Sequence, residues 1–312
     1  MPQADGGSES VTTVRRGERG TSNRAHYRAA LLGVAGIALA ASAWELYKAF
    51  GPQAGVTVGQ TIVLPRANDG VMPHIWQMFT EFGKPVTAGT GSQTIGGAVL
   101  AATWFTLRLA GTGWIVGVII GFALAMLMTR SRVAEAAALP WVVVSQTVPL
   151  IAIAPLLAGW GQYLHVGSWQ WGLPQSVMVI SAYLAFYPMS IGALKGLTSP
   201  DVYQLELMHV YGIGWWRTFL RLRLPAAVPY LLPALRLAAT MAVVGAVVGE
   251  TSVDLQGGVG YLIISFQQTA GLSDAARAWP PIIGAMVDGL IAAGVVALIG
   301  VLLRRYRRGE NA

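Results

Sequence analysis

The chain has 312 residues, 54% of them hydrophobic and only 11% charged, with 21 Lys and Arg, 14 Asp and Glu, a net charge of +7 and no cysteine. Soluble globular domains carry about 25% charged residues, so this composition points to a polytopic membrane protein rather than a soluble domain. The lack of cysteine excludes disulfides, thiolate nucleophiles and cysteine-ligated metals. The basic residues flank apolar runs instead of forming a basic face with interleaved aromatics, which argues for an orientation signal and against nucleic-acid binding.

In chain order, residues 1–24 are rich in Gly, Ser, Thr and Arg, and a disordered tail is expected over 1–26. The apolar run at 27–50 is too long for a signal-peptide core and reads as a retained membrane helix. An external loop follows over 51–99, with a short helix expected near His74 to Phe82 and an amphipathic segment from Ser92 to Arg108 leading into the next span. Crossing about 30 Å of hydrocarbon takes roughly 20 residues. Segments near 27–50, 109–129, 133–158, 174–197, 228–250 and 280–303 meet that length, so the fold class is an all-α polytopic membrane protein with six transmembrane helices. Pro140, Pro149 and Pro155 break the third span. Trp160, Tyr163, Trp169 and Trp171 suit a headgroup region, and residues 251–279 suit a re-entrant or surface-lying helix.

Orientation follows from Lys and Arg. With a cytoplasmic N-terminus, Arg15, Arg16, Arg19, Arg24 and Arg28 lie inside, as do Arg130 and Arg132. Lys195, Arg217, Arg221 and Arg223 fall on the same side, and so do Arg304, Arg305, Arg307 and Arg308 in a basic tail over 304–312. Both termini are then cytoplasmic.

Between the fourth and fifth spans lies a polar, basic, amphipathic insert, DVYQLELMHVYGIGWWRTFLRLRLP, over 201–225. Ser199 as cap, Pro200 at the first helical position and Asp201 at the positive helix end predict a helix to about Tyr211. Gly212 and Gly214 permit a sharp turn. A second short helix is expected from Trp215 to Leu222, ended by Leu224 and Pro225. On charge and amphipathicity alone this is an interfacial helix beside anionic lipid.

The placing of Glu206, Gly212, Leu222, Leu224 and Pro225 resembles the so-called EAA loop, EAA-x3-G-x9-I-x-L-P, of permease subunits of ATP-binding-cassette (ABC) importers. SQTVPLIAIAPLLAGWG (Ser145 to Gly161) looks like the third span of permeases for nitrate, taurine, alkanesulfonates, thiamine-precursor pyrimidines and riboflavin. The likeness covers about residues 100–303, with a coupling loop at 199–225. It implies a type I ABC importer permease core of the bacterial inner membrane, two cytoplasmic ATPases, an external solute-binding protein and a second permease copy, giving a homodimer. It also implies ATPase docking by Glu206, Gly212, Trp216, Phe219, Leu222, Leu224 and Pro225. Leu207-Met208 stand where that family has Ala-Ala, which implies a roomier partner groove or a slightly shifted helix. Solutes implied are a pyrimidine or riboflavin-type compound, a sulfonate or a nitrate-like anion.

Other residues carry two readings each. Gly113, Gly117 and Gly121 recur every four residues, for a close crossing at a subunit interface or for packing within one subunit. Ser145, Gln146 and Thr147 either contact solute or re-satisfy backbone groups freed by the prolines. Asp288 inside the last span is a functional group by default, or pairs with Arg236. Glu250 and Asp254 are gate or receptor contacts, or a solvated helix end. His26, His74, His165 and His209 have no ligand spacing, so no metal site is expected. GGVG at 257–260 does not open a βαβ unit and no GxxxxGK[ST] occurs, so ATP and Mg are expected on a partner and no cofactor in this chain. A secondary transporter or channel without an ATPase is the alternative. An intramembrane enzyme would need a catalytic dyad or metal motif, and neither is present in the sequence.

Overall fold

The computed structural model describes residues 18–58, 61–87, 93–270 and 274–302. Residues 1–17 of the expected tail, with Arg15 and Arg16, lie outside the described residues, as does the expected basic tail 304–312. The chain divides into two compact units between Gln77 and Met78.

The first unit holds helix α1 (Glu18–Phe50) and a hairpin of β1 (Val56–Val58) and β2 (Thr61–Leu64). Helix α1 starts upstream of the expected boundary at 27, so residues 18–26 are helical. Once the apolar run nucleates the helix, each added residue gains a hydrogen bond at little cost, and Arg24 and Ala25 are good helix formers. The loop after β2 is tied back to the last two turns of α1. The Tyr47 hydroxyl donates to the Pro65 carbonyl at 2.8 Å and the Trp44 indole to the Pro73 carbonyl at 3.0 Å. Lys48 donates to the Ala67 carbonyl at 2.6 Å and meets Asp69 at 2.8 Å. That lysine holds the Asp69 carboxyl below the usual carboxylate range. Glu45 accepts the Ile75 N–H and meets His74 Nδ1, both at 2.8 Å. The expected short helix is α2 (Ile75–Thr80), followed by a 3-10 turn over Glu81–Gly83.

The second unit continues with α3 (Ile95–Arg130), α4 (Arg132–Ser145), α5 (Leu150–Gly161), a small hairpin of β3 (His165–Val166) and β4 (Trp169–Gln170), and α6 (Leu173–Leu197). It ends with α7 (Val202–Val210), α8 (Trp215–Thr218), α9 (Leu224–Val253), α10 (Val259–Ala270) and α11 (Trp279–Leu302). The amphipathic segment expected over 92–108 is part of α3, one 36-residue helix capped by the Thr94 side chain. Its inward residues Ile95, Val99, Ala102 and Thr106 are buried, so packing makes the amphipathic segment continuous with the span.

Among the described residues, five helical stretches can cross a membrane by length and composition: Leu31–Phe50, Ile95–Arg130, Leu173–Leu197, Trp215–Val253 and Ala275–Val301. Helices α4 and α5 are bent by 98° at the break between them. Contacts decide what this bent pair does. Gly113, Gly117 and Gly121 of α3 lie against Ser181, Ala182 and Phe186 of α6 in rising order, so α3 and α6 run parallel. Helix α4 starts where α3 ends, and Gly161 at the end of α5 lies against Trp171 just before α6. The pair therefore joins opposite ends of parallel helices and acts as a broken crossing, the sixth span.

The core is built from close backbone approach. A methyl at Gly113 would sit 2.8 Å from the Met178 carbonyl oxygen, at Gly117 2.6 Å from that of Ala182, and at Gly121 2.6 Å from that of Phe186. The stripe is therefore buried against α6 of its own chain, which corrects the subunit-interface reading. On an adjoining face of α6, Gly245 of α9 meets Ser181, and Gly196 of α6 meets Ala227. These pairs run in opposite order, so α9 is antiparallel to α6. Ser181 Oγ donates to the Ala242 carbonyl at 2.8 Å across this contact. Without a hydrophobic force between helices in lipid, such small-residue packing and interhelical hydrogen bonds hold spans together.

A Gly117→Val substitution is expected to destabilise the chain by about 1–3 kcal/mol, because backbone atoms of α6 must move. Gly111 has no neighbour within 4 Å of a built methyl, and Gly111→Ala should leave stability unchanged or raised. Thermal unfolding of the two purified variants in detergent checks the contrast.

Candidate functional site

The ends of α3 and α6, the start of α9 and the end of α11 share one side of the bundle, together with α7 and α8. Arg130, Arg132, Lys195, Arg217, Arg221 and Arg223 lie there.

The insert begins differently from the expectation. Ser199 does not cap α7; its hydroxyl donates to the Gly196 carbonyl at 2.7 Å and to the Ala226 carbonyl at 3.4 Å, closing α6 and touching α9. Asp201 takes the N-cap position with extended dihedrals, Pro200 lies before it, and the Gln204 side chain accepts the Asp201 N–H at 3.3 Å. The serine was claimed by free carbonyls at the end of α6, a local competition typical of hydroxyl side chains.

Gly212 ends α7 as expected. Its φ is +66°, the Gly212 N–H donates to the His209 carbonyl at 2.9 Å and the Ile213 N–H to the Met208 carbonyl at 3.0 Å. This is the Schellman pattern, which asks for glycine at the left-handed position. Helix α8 follows, but Leu224-Pro225 do not end it. A π turn over Phe219–Arg223 carries the chain directly into α9, with Pro225 in its first turn. The wider turn accommodates the residue that lacks an N–H, so the expected stop is absent.

Several contacts fix the insert to the bundle. Arg223 donates to the Leu197 carbonyl at 3.0 Å, joining the end of α6 to the start of α9. Arg130 at the end of α3 lies over the Trp215 ring at 5.2 Å. Trp215 stacks on Phe219 at 5.2 Å, and Phe219 meets Phe122 edge-on at 6.5 Å. Phe219 is buried in a core with Met128, Leu194 and Leu197.

The expected docking residues therefore divide. Glu206, Gly212, Trp216 and Pro225 are exposed, and Leu222 and Leu224 are half-buried. Phe219 is not on the offered face; it anchors the insert from within, because its ring fills the space between α3 and α6. Helix α7 buries none of its residues. Tyr203, Leu207, Val210 and Tyr211, at i, i+4, i+7 and i+8, make one apolar stripe on it, with Leu207 57% and Val210 82% exposed. Leu207 is thus on the bare face, and Met208 is half-buried. Sequence reasoning missed Arg223 and Arg130, which had registered only as orientation charges.

The expected pathway residues lie in two places. Ser145, Gln146 and Thr147 occupy the break between α4 and α5. Ser145 Oγ donates to the Val142 carbonyl at 2.7 Å and Thr147 Oγ1 to the Val144 carbonyl at 2.8 Å, while the Tyr183 hydroxyl donates to the Ser145 carbonyl. Gln146 is 3.4 Å from the Ser145 hydroxyl. The Ser145 and Thr147 side chains satisfy carbonyls at the end of α4.

Glu250 and Asp288 lie toward the opposite end of the bundle, both fully buried. Glu250 accepts the Thr106 hydroxyl at 2.8 and 3.1 Å and the Gly260 N–H at 2.9 Å, and Thr106 Oγ1 accepts the Val259 N–H at 2.9 Å. Asp288 does not pair with Arg236. Arg236 is exposed in a cleft with Pro229, Pro233, Val296 and Gly300, two turns along α11 from Asp288. Asp254, exposed, takes a left-handed conformation at the end of α9. Among the described residues there is no group of three or more His, Cys, Asp or Glu arranged to hold a metal ion.

A helical bundle of broken and unbroken spans, with an amphipathic insert clamped at one end, is the architecture of a transporter's membrane component. Residues 117–308 match the family described as "Binding-protein-dependent transport system inner membrane component", and the chain belongs to it. A probable ABC transporter permease protein of Haemophilus influenzae is 34% identical over 62% of this chain and 79% of its own length. The formylaminopyrimidine transport permease protein ThiX of Halalkalibacterium halodurans is 33% identical over 46% of this chain and 54% of its own. A putative aliphatic sulfonates transport permease protein SsuC of Bacillus subtilis is 26% identical over 68% and 72%. A crystal structure of an amino acid ABC transporter with histidines superposes with a TM-score of 0.50 at 18% identity, over 68% of this chain and 94% of that one, a likeness of fold. The chain is thus an ABC permease component with several membrane spans. Such components are not enzymes; ATP is hydrolysed by partner subunits.

Arg223→Met leaves the Leu197 carbonyl without its donor and is expected to cost about 1–3 kcal/mol. The loss should appear as faster hydrogen exchange confined to residues around 197–203 and 219–227, measured by mass spectrometry on the purified chain.

Proposed function

We propose that this chain is the membrane-spanning subunit of an ATP-driven importer, coupled to cytoplasmic ATPase subunits through the insert at 201–225. The observation that carries the reading is a helix with a bare apolar stripe, α7, held at both of its ends by a stiff frame. An isolated interfacial helix needs no such frame, because lipid requires only an apolar face. Mechanical coupling needs one, because force applied to α7 has to reach α6, α9 and α3 without being absorbed in the linker. The Arg223, Ser199, Trp215 and Phe219 contacts supply that stiffness.

The cluster of basic residues on the insert side supports a cytoplasmic insert and cytoplasmic termini. On this reading ATP and Mg belong to the partner, an external binding protein delivers the solute at the opposite side, and two copies of the chain pair to enclose the route. Closure of the ATPases draws two inserts together and the spans open outward; hydrolysis allows return. The names of relatives support a small organic solute, of formylaminopyrimidine, sulfonate or riboflavin type; a nitrate-like anion rests on the resemblance of the Ser145 to Gly161 segment alone. A secondary transporter or channel would leave the bare stripe of α7 without a partner.

Gly212 gives the test. A built methyl there has no neighbour within 4 Å, so a substitution acts through the left-handed φ alone. Gly212→Val should cost about 1–2 kcal/mol locally, unseat the Schellman turn and abolish transport while the protein remains in the membrane. Gly212→Asn, which tolerates that φ, should keep most transport. Solute uptake by cells carrying each variant is the measurement; full uptake with Gly212→Val contradicts the docking role.

A further inference from the structure

The acids near the end opposite the insert remain to be explained. Asp288 is fully buried, and neither carboxylate oxygen has a hydrogen-bond partner. It follows Gly284 by one turn on α11, and Gly284 packs against Val99 and Thr103 of α3 and Val259 of α10. One turn further along the parallel α3 lies Thr106, whose hydroxyl holds Glu250. Asp288 therefore faces the Glu250 site, and the Glu250 carboxylate is the charge that acts on it. The turn at Gly258 and Gly260 wraps Glu250 so closely that a side chain at Gly258 would overlap its carboxylate.

Among the described residues no basic side chain is placed against the two acids. Helix α3 contributes Thr103 and Thr106, α10 contributes the backbone of Val259 and Gly260, and α9 and α11 contribute the acids themselves. Arg108 is exposed over the Trp104 ring at 5.0 Å. Arg277 is spent on the Val86 carbonyl. Asp254 is exposed beyond the end of α9. Glu250 is held by two donors, the Thr106 hydroxyl and the Gly260 N–H, whereas Asp288 has none. Two uncompensated carboxylates buried together are prohibitively costly, and an unpartnered buried acid implies a missing positive partner.

We propose that Glu250 and Asp288 together bind one small monovalent cation, a proton or Na⁺, at the junction of α3, α9, α10 and α11. The Asp288 oxygens and the remaining lone pairs of Glu250 are its ligands. The loaded pair locks α10 to the ends of α9 and α11; the empty pair repels and loosens that end of the bundle, where a route must open. The lock is independent of ATPase docking.

The test is thermal unfolding of the purified full-length chain in detergent, followed by tryptophan fluorescence. It is run in choline chloride at mildly acidic and mildly alkaline pH, with and without NaCl or KCl. If a proton is the ligand, the midpoint falls by about 3 °C or more toward alkaline pH and Na⁺ does not restore it. If Na⁺ is the ligand, NaCl restores the alkaline midpoint and KCl does not. In either case Asp288→Asn, which removes one of the two negative charges, removes the response. Should that variant fail to accumulate, Glu250→Gln, which removes the other, must remove it instead. A wild-type midpoint indifferent to pH and Na⁺, or an unchanged response in the Asn or Gln variant, overturns the proposal.

Discussion

The approach of α3 and α9 onto α6 at backbone distance is the contact on which everything else rests. Gly113, Gly117 and Gly121 of α3 and Gly245 of α9 leave no room for a side chain against α6, so the three helices are held together without slack. Lipid gives apolar side chains no reason to leave it, so this tightness comes from dispersion contacts and from hydrogen bonds such as Ser181 to the Ala242 carbonyl. A bundle packed on larger side chains could repack by rotamer changes. One packed on backbone moves as a block, which suits a part that must carry displacement between its two ends.

The insert exploits that block. It leaves α6 and returns into α9, the two helices that are locked together, and its return passes through an unbroken helix from Trp215 to Val253. Arg223 and Ser199 close the short way between the two helices, while Trp215 and Phe219 reach α3 through Arg130 and Phe122. Only α7 stands clear, with its apolar stripe outward. Rigidity near the membrane and exposure beyond it belong to the same twenty or so residues. The opposite end of the block is built on other terms, with buried acids and glycine turns instead of arginine and aromatic rings.

The sequence was informative where one residue type has one use. Gly212 at the end of the amphipathic helix pointed to a sharp turn, and the deficit of charge pointed to a membrane. It was ambiguous where a residue has several suitors. Ser199 could cap α7 or close α6, and the nearer carbonyls won. Pro225 looked like a stop because a regular α-helix cannot hold it there, but a π turn can. The glycine stripe on α3 announced a close neighbour without saying which, since small residues record only that something approaches. Asp288 and Arg236 lie on adjacent helices of opposite direction, and the length of the connection between them left their levels unreadable. The Arg130–Trp215 and Arg223–Leu197 contacts join residues far apart in the chain, and no local pattern announces them.

Because the chain has no cysteine, a single introduced thiol reports one position without background. The most direct measurement is crosslinking from Leu207→Cys, on the bare stripe of α7, in membranes containing the partner ATPase, with a short thiol-to-amine reagent. The account predicts a defined adduct between this chain and the ATPase subunit, and none from Trp104→Cys, exposed near the opposite end of α3. Absence of the Leu207→Cys adduct from an assembled, transporting complex, or equal yields from both positions, would contradict it.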